Sequence, residues 1–537
     1  MEQPTSALDL LREPRFRTLW ATVELSFLGM FIHMVACSWV MTALTSSATL
    51  VSLIQTAYSL PIVLFAVVAG AMADTLDRRR TMVVSLGLSL IGSLGLVAAA
   101  RLDLLTPWSM LGLMFVVGTG VAIFTPSWQA SLGEIVSRDR LADAVSLHNM
   151  GANVMRTLGP SLGGMLVAAA SAGTAFAVGA LTYIPATLAL LFWRPERKAQ
   201  EDTPEALWPA VMSGLRFLIA APHLQTLLLR VFCFAASAIS VMALLPLVAR
   251  QQLGLGVGSY GLLFGSFGLG AIGGGIASSR FRQRLGSEKV VRAAFVINAA
   301  SIGLLAISQN FWLAILASVI SGSCWLTGHS IQNSTLQLAT PRWIVGRMVA
   351  MFLSAAFCGL SVGGWVWGVA AERLGTQGAL GLSSAAMICT ALLALRFPMP
   401  STQGLDLNPL QDRTSVVALP PLHPDTGPLQ VQIEHRLAPG ALPRFETLME
   451  KRRAHLSQLG ARNWTLMHDL AAGEAWIETF RVASWSDYQR LMFRRTNESL
   501  SLRQELLSLQ NGQAKPVVRV LLMARRARQV AEPMLRA

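Results

Sequence analysis

A succession of long apolar runs occupies the sequence up to Arg396 and constrains the fold more than any other feature. A helix needs about 20 apolar residues to cross the hydrocarbon core of a bilayer. Charged residues make up only 13% of the chain, whereas a soluble protein carries about 25%. The sequence therefore predicts an all-α membrane bundle of twelve transmembrane helices. The predicted helices cover residues 17–41, 48–73, 80–100, 107–130, 144–170, 174–193, 222–249, 258–279, 288–308, 311–335, 343–371 and 376–396.

A basic turn occurs twice, at corresponding places in the apolar part of the chain. Residues 70–80 have the sequence GAMADTLDRRR, and residues 274–284 have the sequence GGIASSRFRQR. Each copy follows one apolar run and precedes another. Parallel repeats of this kind build many secondary transporters. The pattern predicts two six-helix repeats, over residues 1–194 and 222–397, joined by a cytoplasmic linker over residues 195–221.

Arginine residues collect in the short turns on one side of the predicted bundle. Loops rich in Lys and Arg stay on the cytoplasmic side of a membrane, so both termini are expected to be cytoplasmic. The same arginines account for the formal net charge of +14, and we therefore expect no nucleic-acid partner. The basic turns include residues 12–17, 78–80, 138–140, 194–198 and 280–284.

The composition changes after the last apolar run. Residues 398–428 are rich in Pro, Asp, Thr and Gln without a pattern, which is typical of a flexible linker. Residues 429–537 show strand and helix patterns in the order β-α-β-β-α-β, which is ferredoxin-like. The five cysteines lie in apolar runs without paired spacing, so we expect neither a disulfide nor a metal site. The sequence predicts a C-terminal α+β ferredoxin-like domain in the cytoplasm.

Three segments of the bundle resemble the transmembrane secretion effectors, a bacterial subfamily of the major facilitator superfamily that includes proteins of the enterobactin-exporter type. The segments are residues 39–80, residues 126–164 and residues 333–372, which contain LQLATPRWIVGRMVAMF and GGWVWGVAAE. The resemblance implies a multi-pass transporter of the inner membrane that exports a small, partly hydrophobic compound, such as a siderophore or a drug, by alternating access. It implies the proton gradient as the driving force, without a cofactor.

The C-terminal region resembles the small dimeric domains of the antibiotic-biosynthesis-monooxygenase type, which this subfamily commonly carries. The resemblance implies a homodimer through this domain. Some relatives of such domains oxidise aromatic or haem substrates in a pocket of Asn, Trp and His, and Asn463, Trp464, His468 and Trp476 offer these residue types. A dimerising or regulatory role is the interpretation we favour, because tryptophans of a small sheet more often form its core.

The first basic turn resembles the loop between helices two and three that marks the superfamily. The resemblance implies a cytoplasmic gate made of Gly70, Asp74, Arg78 and Arg80, in which Asp74 accepts a hydrogen bond from the start of helix eleven. Gly70 would let another helix approach closely. The alternative is that the arginines only set the topology.

The fifth predicted helix carries Gly159, Pro160, Gly163 and Gly164, which resemble part of the helix-five motif of drug/proton antiporters. Small residues permit a close helix crossing, and proline bends a helix. The pattern explains a packing role as well as an antiport role, because Met155 stands where the antiporter motif has an earlier glycine.

Polar and ionisable residues within apolar helices are the remaining candidates for function, since burying a charge in a membrane is expensive. They are predicted to line a central cavity or to take part in proton coupling. For Glu24 and Arg156, the alternative is a purely structural ion pair. Arg230, near a helix end, is expected to extend to the membrane interface. The predicted cavity residues are Glu24, Asn153, Arg156, His329 and Asn333.

Two other functions remain open on the sequence alone. One is uptake by a transporter of the same fold, which no residue pattern excludes. The other is a membrane-anchored oxidase that works through the C-terminal domain.

Overall fold

The computed structural model describes residues 7–193, 207–341, 344–400, 422–423, 426–470, 475–493, 497–511 and 516–523. The chain forms two compact units. The larger unit comprises Met1–Glu205, Thr226–Thr335 and Ala350–Met399, and the smaller unit comprises Ala206–Gln225, Leu336–Val349 and Pro400–Ala537. Most of the predicted linker over residues 398–428 lies outside the described residues.

The larger unit is built almost entirely of long apolar helices. Its first half contains α1 Pro14–Leu44, α2 Ala48–Thr75, α3 Arg78–Arg101, α4 Pro107–Ile135, α5 Leu141–Ala169, α6 Ala172–Leu181 and α7 Tyr183–Phe192. Its second half contains α9 Pro222–Leu247, α10 Val257–Leu285, α11 Ser287–Ile307, α12 Phe311–Leu338 and α13 Val345–Arg396, of which α9, α12 and α13 extend into the smaller unit at one end. The linker between the halves contains a further helix, α8 Leu207–Ile219.

Ten helical segments in the described part of the chain are long and apolar enough to cross a membrane. The pair α6 and α7 counts as one of them, as Ala172–Phe192, whereas α5 is not among them. The last two predicted helices, over residues 343–371 and 376–396, form the continuous element α13. Gly375 interrupts it with a φ of 74°, a backbone conformation that favours glycine.

Polar side chains define where several helices begin. Ser47 accepts a hydrogen bond from the backbone N–H of Leu50 at the start of α2, and Asp77 accepts one from Arg80 at the start of α3. Thr106 and Ser109 form a reciprocal capping box at the start of α4. Such caps satisfy the free N–H groups of a first helical turn. The helices α2, α3 and α4 therefore each begin after a residue of a type that is preferred at a helix N-cap.

Small residues allow the helices of the first half to pack closely. A Cβ atom on Gly118 of α4 would lie 2.5 Å from the carbonyl oxygen of Tyr58 on α2. A Cβ on Gly120 would lie 2.5 Å from the carbonyl oxygen of Ser85 on α3. Helices in membranes associate mainly through such close packing. Trp128 of α4 is fully buried in the adjoining apolar core.

The smaller unit contains a four-stranded antiparallel sheet and helices packed on it. The strands are β1 Leu429–Arg436, β2 Arg462–His468, β3 Ala475–Val482 and β4 Val517–Leu522, and their order in the sheet is β2-β3-β1-β4. The helices of the C-terminal region are α14 Leu442–Gln458, α15 Trp485–Phe493 and α16 Asn497–Ser508. Residues 494–496, between α15 and α16, lie outside the described residues.

Alternation along β1 places Leu429, Val431 and Ile433 on the buried face of the sheet. Ser484 accepts a hydrogen bond from the backbone N–H of Asp487 and so caps the start of α15. The linker helix α8 belongs to this unit. The side chain of Gln458, at the end of α14, donates to the carbonyl oxygen of Ala220 just beyond α8.

Candidate functional site

The two halves of the larger unit meet along α2 and α13. The hydroxyl of Thr56 donates to the carbonyl oxygen of Ser361 at 3.0 Å, and the hydroxyls of Ser59 and Ser361 lie 2.7 Å apart. A Cβ on Gly364 would lie 2.6 Å from the Thr56 hydroxyl. These contacts fall in the N-terminal half of α2, away from the basic turn that follows the C-terminus of that helix.

One carboxylate extends this contact to the end of the bundle. Oε2 of Glu372 on α13 accepts hydrogen bonds from the hydroxyl of Ser47, at 3.0 Å, and from the hydroxyl of Thr49. Ser47 is the residue that caps α2. A negative charge at a helix N-terminus is stabilised by the helix dipole, so Glu372 joins the second half of the unit to the start of α2.

The helices α5 and α10 make a second contact between the halves. A Cβ on Gly164 of α5 would lie 2.8 Å from Cα of Gly261 on α10. Arg250, which follows α9, donates to the hydroxyl of Thr42 at 2.9 Å. We call the contacts of α2 with α13 and of α5 with α10 the distal interface, because they lie at the ends of these helices that are remote from the basic turns.

Arg156 lies on α5, between the two halves. Its guanidinium carbon is 5.9 Å from the ring centroid of Phe31 on α1. Tyr58 of α2 and His329 of α12 are close enough to interact with it electrostatically. Among the described residues its electrostatic partners do not include a carboxylate, so a half-buried cation faces the second half of the unit without an ion pair.

Aromatic side chains surround His329 in the second half. Its ring stacks on Trp325, with ring centroids 5.6 Å apart, and lies 5.1 Å from the ring of Phe352. Trp325 also stacks on Phe234 at 5.4 Å, and Phe234 stacks on Phe295 at 4.7 Å. These five rings form one continuous group in the second half. We call this group the aromatic wall, and it consists of Phe234, Phe295, Trp325, His329 and Phe352.

Glu24 lies inside the first half and pairs with His148. Oε1 of Glu24 is 2.8 Å from Nδ1 of His148 on α5, and the indole Nε1 of Trp128 on α4 is 3.4 Å from the same nitrogen. Glu24 is 1% exposed and His148 is 6% exposed. The alternative ion pair between Glu24 and Arg156 is therefore not formed in the structure.

The first basic turn makes its described contacts within the first half. Nη1 of Arg78 lies 2.5 Å from Oε1 of Glu134 on α4, and Arg79 donates to carbonyl oxygens at the end of α7. The side chain of Asp74 lies outside the described residues. A Cβ on Gly70 would meet no described atom within 4 Å, so none of the described residues packs closely on Gly70 in this conformation.

The glycines of α5 have packing partners on two helices. A Cβ on Gly159 would lie 2.5 Å from Cβ of Phe31, and a Cβ on Gly163 would lie 3.1 Å from Cα of Ile32. Gly164 packs on α10 in the distal interface. The structure thus supports a packing role for these glycines.

The other predicted residues of the bundle lie in different surroundings. Asn153 of α5 is half-buried, and its amide donates to the carbonyl oxygen of Asn149 at 2.8 Å. Asn333 lies on α12, one turn after His329. Arg230 is fully buried. Its guanidinium forms an ion pair with Glu288 and donates to the carbonyl oxygen of Phe397. Glu288 lies in the first turn of α11, directly after the second basic turn, and the position of Arg230 relative to the membrane interface stays a prediction.

The C-terminal domain holds a buried carboxylate, Glu478, on β3. Arg452 and the indole of Trp464 donate to it at 2.9 Å, and Nε2 of His435 lies 3.3 Å away. Burial alone would raise the pKa of Glu478, but the positive charge of Arg452 and these hydrogen bonds hold its pKa below the usual 4.5. Trp464, a candidate for an oxidase pocket, is engaged in this cluster.

His468 and Trp476, two further candidates for an oxidase pocket, stack on each other with ring centroids 4.7 Å apart. Asn463 adopts a left-handed backbone conformation at the start of β2. Both rings lie next to the Glu478 cluster, since His435 pairs with Trp476 in the sheet register.

The sequence analysis did not identify His148 or Glu372. His148 is 124 positions from Glu24, and Glu372 is 325 positions from Ser47. A periodic pattern within one helix cannot reveal contacts over such separations. The one available signal was that each is an ionisable residue in or next to an apolar run.

Comparison with known proteins places the larger unit among transporters. The enterobactin exporter EntS of Salmonella typhi is 26% identical over 400 residues, which cover 72% of this chain and 93% of the exporter. The MFS-type transporter YfiS of Bacillus subtilis is 29% identical over 231 residues, which cover 41% of this chain and 54% of that protein.

Solved transporter structures share the fold. A bacterial homologue of the human lysosomal transporter Spinster, in an inward-facing conformation, superposes with a TM-score of 0.55 at 15% identity, covering 72% of this chain and 95% of the homologue. The nucleoside transporter NupG superposes with a TM-score of 0.58 at 14% identity, covering 70% of this chain and 99% of NupG. A family model described as transmembrane secretion effector matches residues 5–528. The chain therefore belongs to the transmembrane secretion effectors, and it is a multi-pass membrane transporter of the major facilitator superfamily.

Proposed function

We propose that the protein exports a small, partly hydrophobic compound, such as a siderophore or a drug, across the bacterial inner membrane by alternating access driven by the proton gradient. In this proposal the bundle has twelve transmembrane helices, because α5 is counted and α13 is divided at Gly375. Both termini are cytoplasmic, and the C-terminal domain is a cytoplasmic ferredoxin-like module. The named relatives among the exporters support the direction of transport.

The observation that carries the proposal is the position of Arg156 opposite the aromatic wall. A half-buried cation without an ion pair can bind a negative or strongly polar group of a substrate. The rings of Trp325, His329 and Phe352 offer an apolar surface with a face for stacking. The first half thus supplies a polar contact for the substrate, and the second half supplies an apolar contact. A substrate bound to both halves loses or changes one of these contacts when the halves move.

Alternating access needs a gate at each end of this site. At the distal end, Glu372 and the helix contacts described above form the closed gate of this conformation. At the end with the basic turns, we assign the gate to Gly70, Asp74, Arg78 and Arg80. Arg78 would position the turn by its ion pair with Glu134.

Transport of enterobactin into inside-out membrane vesicles tests the proposal. An exporter accumulates the probe in such vesicles when a proton gradient, acidic inside, is imposed, whereas an uptake transporter does not. Arg156→Gln should lower the initial rate about tenfold or more, since a hydrogen bond to a charged group contributes about 1.5–3 kcal/mol. Arg156→Lys keeps the charge and should retain part of the rate.

A matched control is Arg101→Gln, which removes an exposed arginine beyond the central site and should leave transport unchanged. Vesicles with the parent protein that accumulate no more enterobactin than vesicles without it would contradict this choice of substrate. Accumulation only in right-side-out vesicles would reverse the assigned direction.

A further inference from the structure

The contact between Glu24 and His148 requires a proton on one of the two facing atoms. Oε1 and Nδ1 lie 2.8 Å apart, and two lone pairs repel at that distance, so one of the two atoms carries a proton. When Glu24 is ionised and His148 is neutral with its proton on Nδ1, the pair has a charge of −1 and the indole N–H of Trp128 cannot donate to that nitrogen. One further proton makes the pair neutral overall and leaves the contact in place.

A proton can reach Glu24 through His148, because His148 is the less buried residue of the pair. The side chain of His148 is 7% exposed, whereas that of Glu24 is 2% exposed. A proton that binds Nε2 of His148 gives an imidazolium ion, whose Nδ1 proton can pass along the hydrogen bond to Oε1 of Glu24. The products are a neutral imidazole with its proton on Nε2 and a neutral carboxyl group, so one proton is bound and the charge is balanced.

The second oxygen of Glu24 links this proton to protein conformation. Oε2 is buried and has no hydrogen-bond partner among the residues that the structure describes. A hydrogen-bond donor that reached Oε2 in another conformation would stabilise the ionised carboxylate and release the proton. The proton affinity of the pair therefore depends on how the helices around Oε2 are arranged.

The helix α5 connects the pair to the other working parts of the transporter. Gly151 of α5 brings the backbone close to Glu24, since a Cβ there would lie 2.6 Å from the carboxyl carbon. His148 and Arg156 are eight residues apart on α5, about two helical turns. The same helix packs on α10 through Gly164. A shift of α5 against α1 would change the pair, the central cation and the distal interface together.

We propose that Glu24 and His148 form the proton-binding site that couples export to the proton gradient, with His148 as the entry for the proton and Glu24 as its carrier. The inference rests on the proposed function, because it assumes proton-driven transport. It goes further by assigning the coupling to a buried acid–base pair within the first half, separate from the substrate site at Arg156.

Among the described residues, the groups that contact the pair are otherwise neutral. The ring of Phe27 on α1 lies 5.8 Å from the ring of His148, and Trp128 of α4 lies at 6.1 Å with its ring edge-on. The other charged residues of the packed helices are engaged or remote. Arg17 of α1 is exposed, Glu134 of α4 pairs with Arg78, Asp143 of α5 pairs with Arg140, and Arg156 lies beyond the pair on α5.

The test uses the full-length protein in liposomes with enterobactin as the probe. Two activities are compared, namely uphill transport driven by a pH gradient and exchange of labelled for unlabelled enterobactin without a gradient. Glu24→Gln and His148→Asn keep a hydrogen-bonding group near its original place but cannot carry the proton. We expect each variant to lose uphill transport at least tenfold and to retain exchange, and the exchange of each variant to become independent of pH.

A second measurement does not need the transport substrate. Infrared difference spectra of the purified protein between two pH values should show the band of a protonated carboxyl group. This band should be absent in Glu24→Gln and shifted in His148→Asn. The matched control is His33→Asn, which changes another buried histidine of α1, whose Nδ1 lies 2.7 Å from the carbonyl oxygen of Gly29. It should keep both uphill transport and the carboxyl band.

The outcomes separate this inference from the proposed function. If the parent protein neither accumulates nor exchanges enterobactin, the substrate is wrong, while the infrared band still decides on the proton site. If the parent transports and both variants keep uphill transport, the pair is not the coupling site. Loss of exchange together with uphill transport in both variants would equally overturn the assignment, because it indicates a structural role.

Discussion

At the scale of the residue, Glu372 shows how one exposed carboxylate can hold two halves of a transporter together. Its Oε2 accepts from the hydroxyls of Ser47 and Thr49, at the N-terminus of α2. The interaction combines two hydrogen bonds with the favourable dipole of the helix. It is accessible to solvent, so salt should weaken it. A contact of this strength can hold a gate closed and still open during each transport cycle.

We predict that Glu372→Gln opens the distal end more often. A cysteine at Ser59, which is 3% exposed, should react about two- to five-fold faster with a membrane-impermeant maleimide, the range expected for losing a charge at a helix N-terminus. The native cysteines are first replaced. Arg373→Gln removes a neighbouring exposed charge and serves as the control. Equal labelling rates in Glu372→Gln and the parent would show that the carboxylate does not hold the gate.

The buried Glu478 predicts how the C-terminal domain responds to pH. Its folded pKa lies below the usual 4.5, because the positive charge of Arg452 and the hydrogen bonds of His435 and Trp464 outweigh the effect of burial. A carboxyl group with a lowered folded pKa stabilises the fold above its unfolded pKa, and this stability is lost as pH falls through the folded value. We therefore expect the domain to loosen below about pH 4.5.

Hydrogen exchange of the β1 and β3 amides in the full-length protein measures this loss. Glu478→Ala leaves Arg452 and Trp464 without their acceptor and should destabilise the domain by about 3–5 kcal/mol at neutral pH. Glu434→Ala changes a carboxylate whose partner Arg436 is largely exposed, and should have an effect of about 0–1 kcal/mol. Similar exchange rates in the two variants would contradict the central role of Glu478.

At the scale of the element, the sequence predicts most helices because each apolar run must satisfy its backbone internally once it is in the membrane. It also predicts the break between the last two helices, where Gly375 adopts a positive φ. It predicts the alternation of β1 for the same kind of reason, since Val431 and Ile433 point to one face. These features depend on local spacing and can be derived from the chain alone.

Contacts between distant elements could not be derived in this way. Glu24 and Arg156 were identified as candidates because charge is rare in apolar helices, but the sequence left their partners open. The structure pairs Glu24 with His148 and Arg230 with Glu288. Each of these pairs depends on which helices become neighbours, and that is decided by packing across the whole bundle.

We predict that the distal interface depends on the absence of side chains where α5 crosses α10. A Cβ on Gly261 would lie 2.8 Å from the carbonyl oxygen of Pro160 and 2.9 Å from Cα of Gly164. Because backbone atoms cannot move aside cheaply, Gly261→Val should destabilise the purified protein by about 1–3 kcal/mol and lower its unfolding temperature.

The control for this prediction is a glycine with free space around it. A Cβ on Gly112 of α4 would meet no described atom within 4 Å. Gly112→Ala should be neutral or stabilising by about 0.5–1 kcal/mol, because alanine is the better helix former. A thermal unfolding curve of Gly261→Val that matches the parent would mean that α5 and α10 do not cross as closely as described.

At the scale of the whole molecule, one face of the sheet in the C-terminal domain has no covering layer among the residues that the structure describes. The strand register places Met467, Ile477, Val517 and Leu521 on the face opposite to the buried core, together with polar residues that include Gln432, Thr479 and Arg519. Met467, Val517 and Leu521 are each between 45% and 49% exposed. A sheet with an apolar face usually buries it against another layer. A second copy of the same domain offers a complementary face of the same composition.

We predict that residues 422–537, expressed alone, form a soluble dimer through this face, without bound haem or flavin. Leu521→Arg places a charge in the face and should give a monomer, since an unpaired charge in an apolar interface is costly. Leu442→Arg changes an exposed leucine at the start of α14, away from the open face, and should leave the dimer intact. Sedimentation velocity distinguishes the two states, and an absorbance spectrum reports any chromophore. A monomeric parent domain would refute the dimer, whereas a stoichiometric chromophore would revive the hypothesis of an oxidase on a membrane anchor.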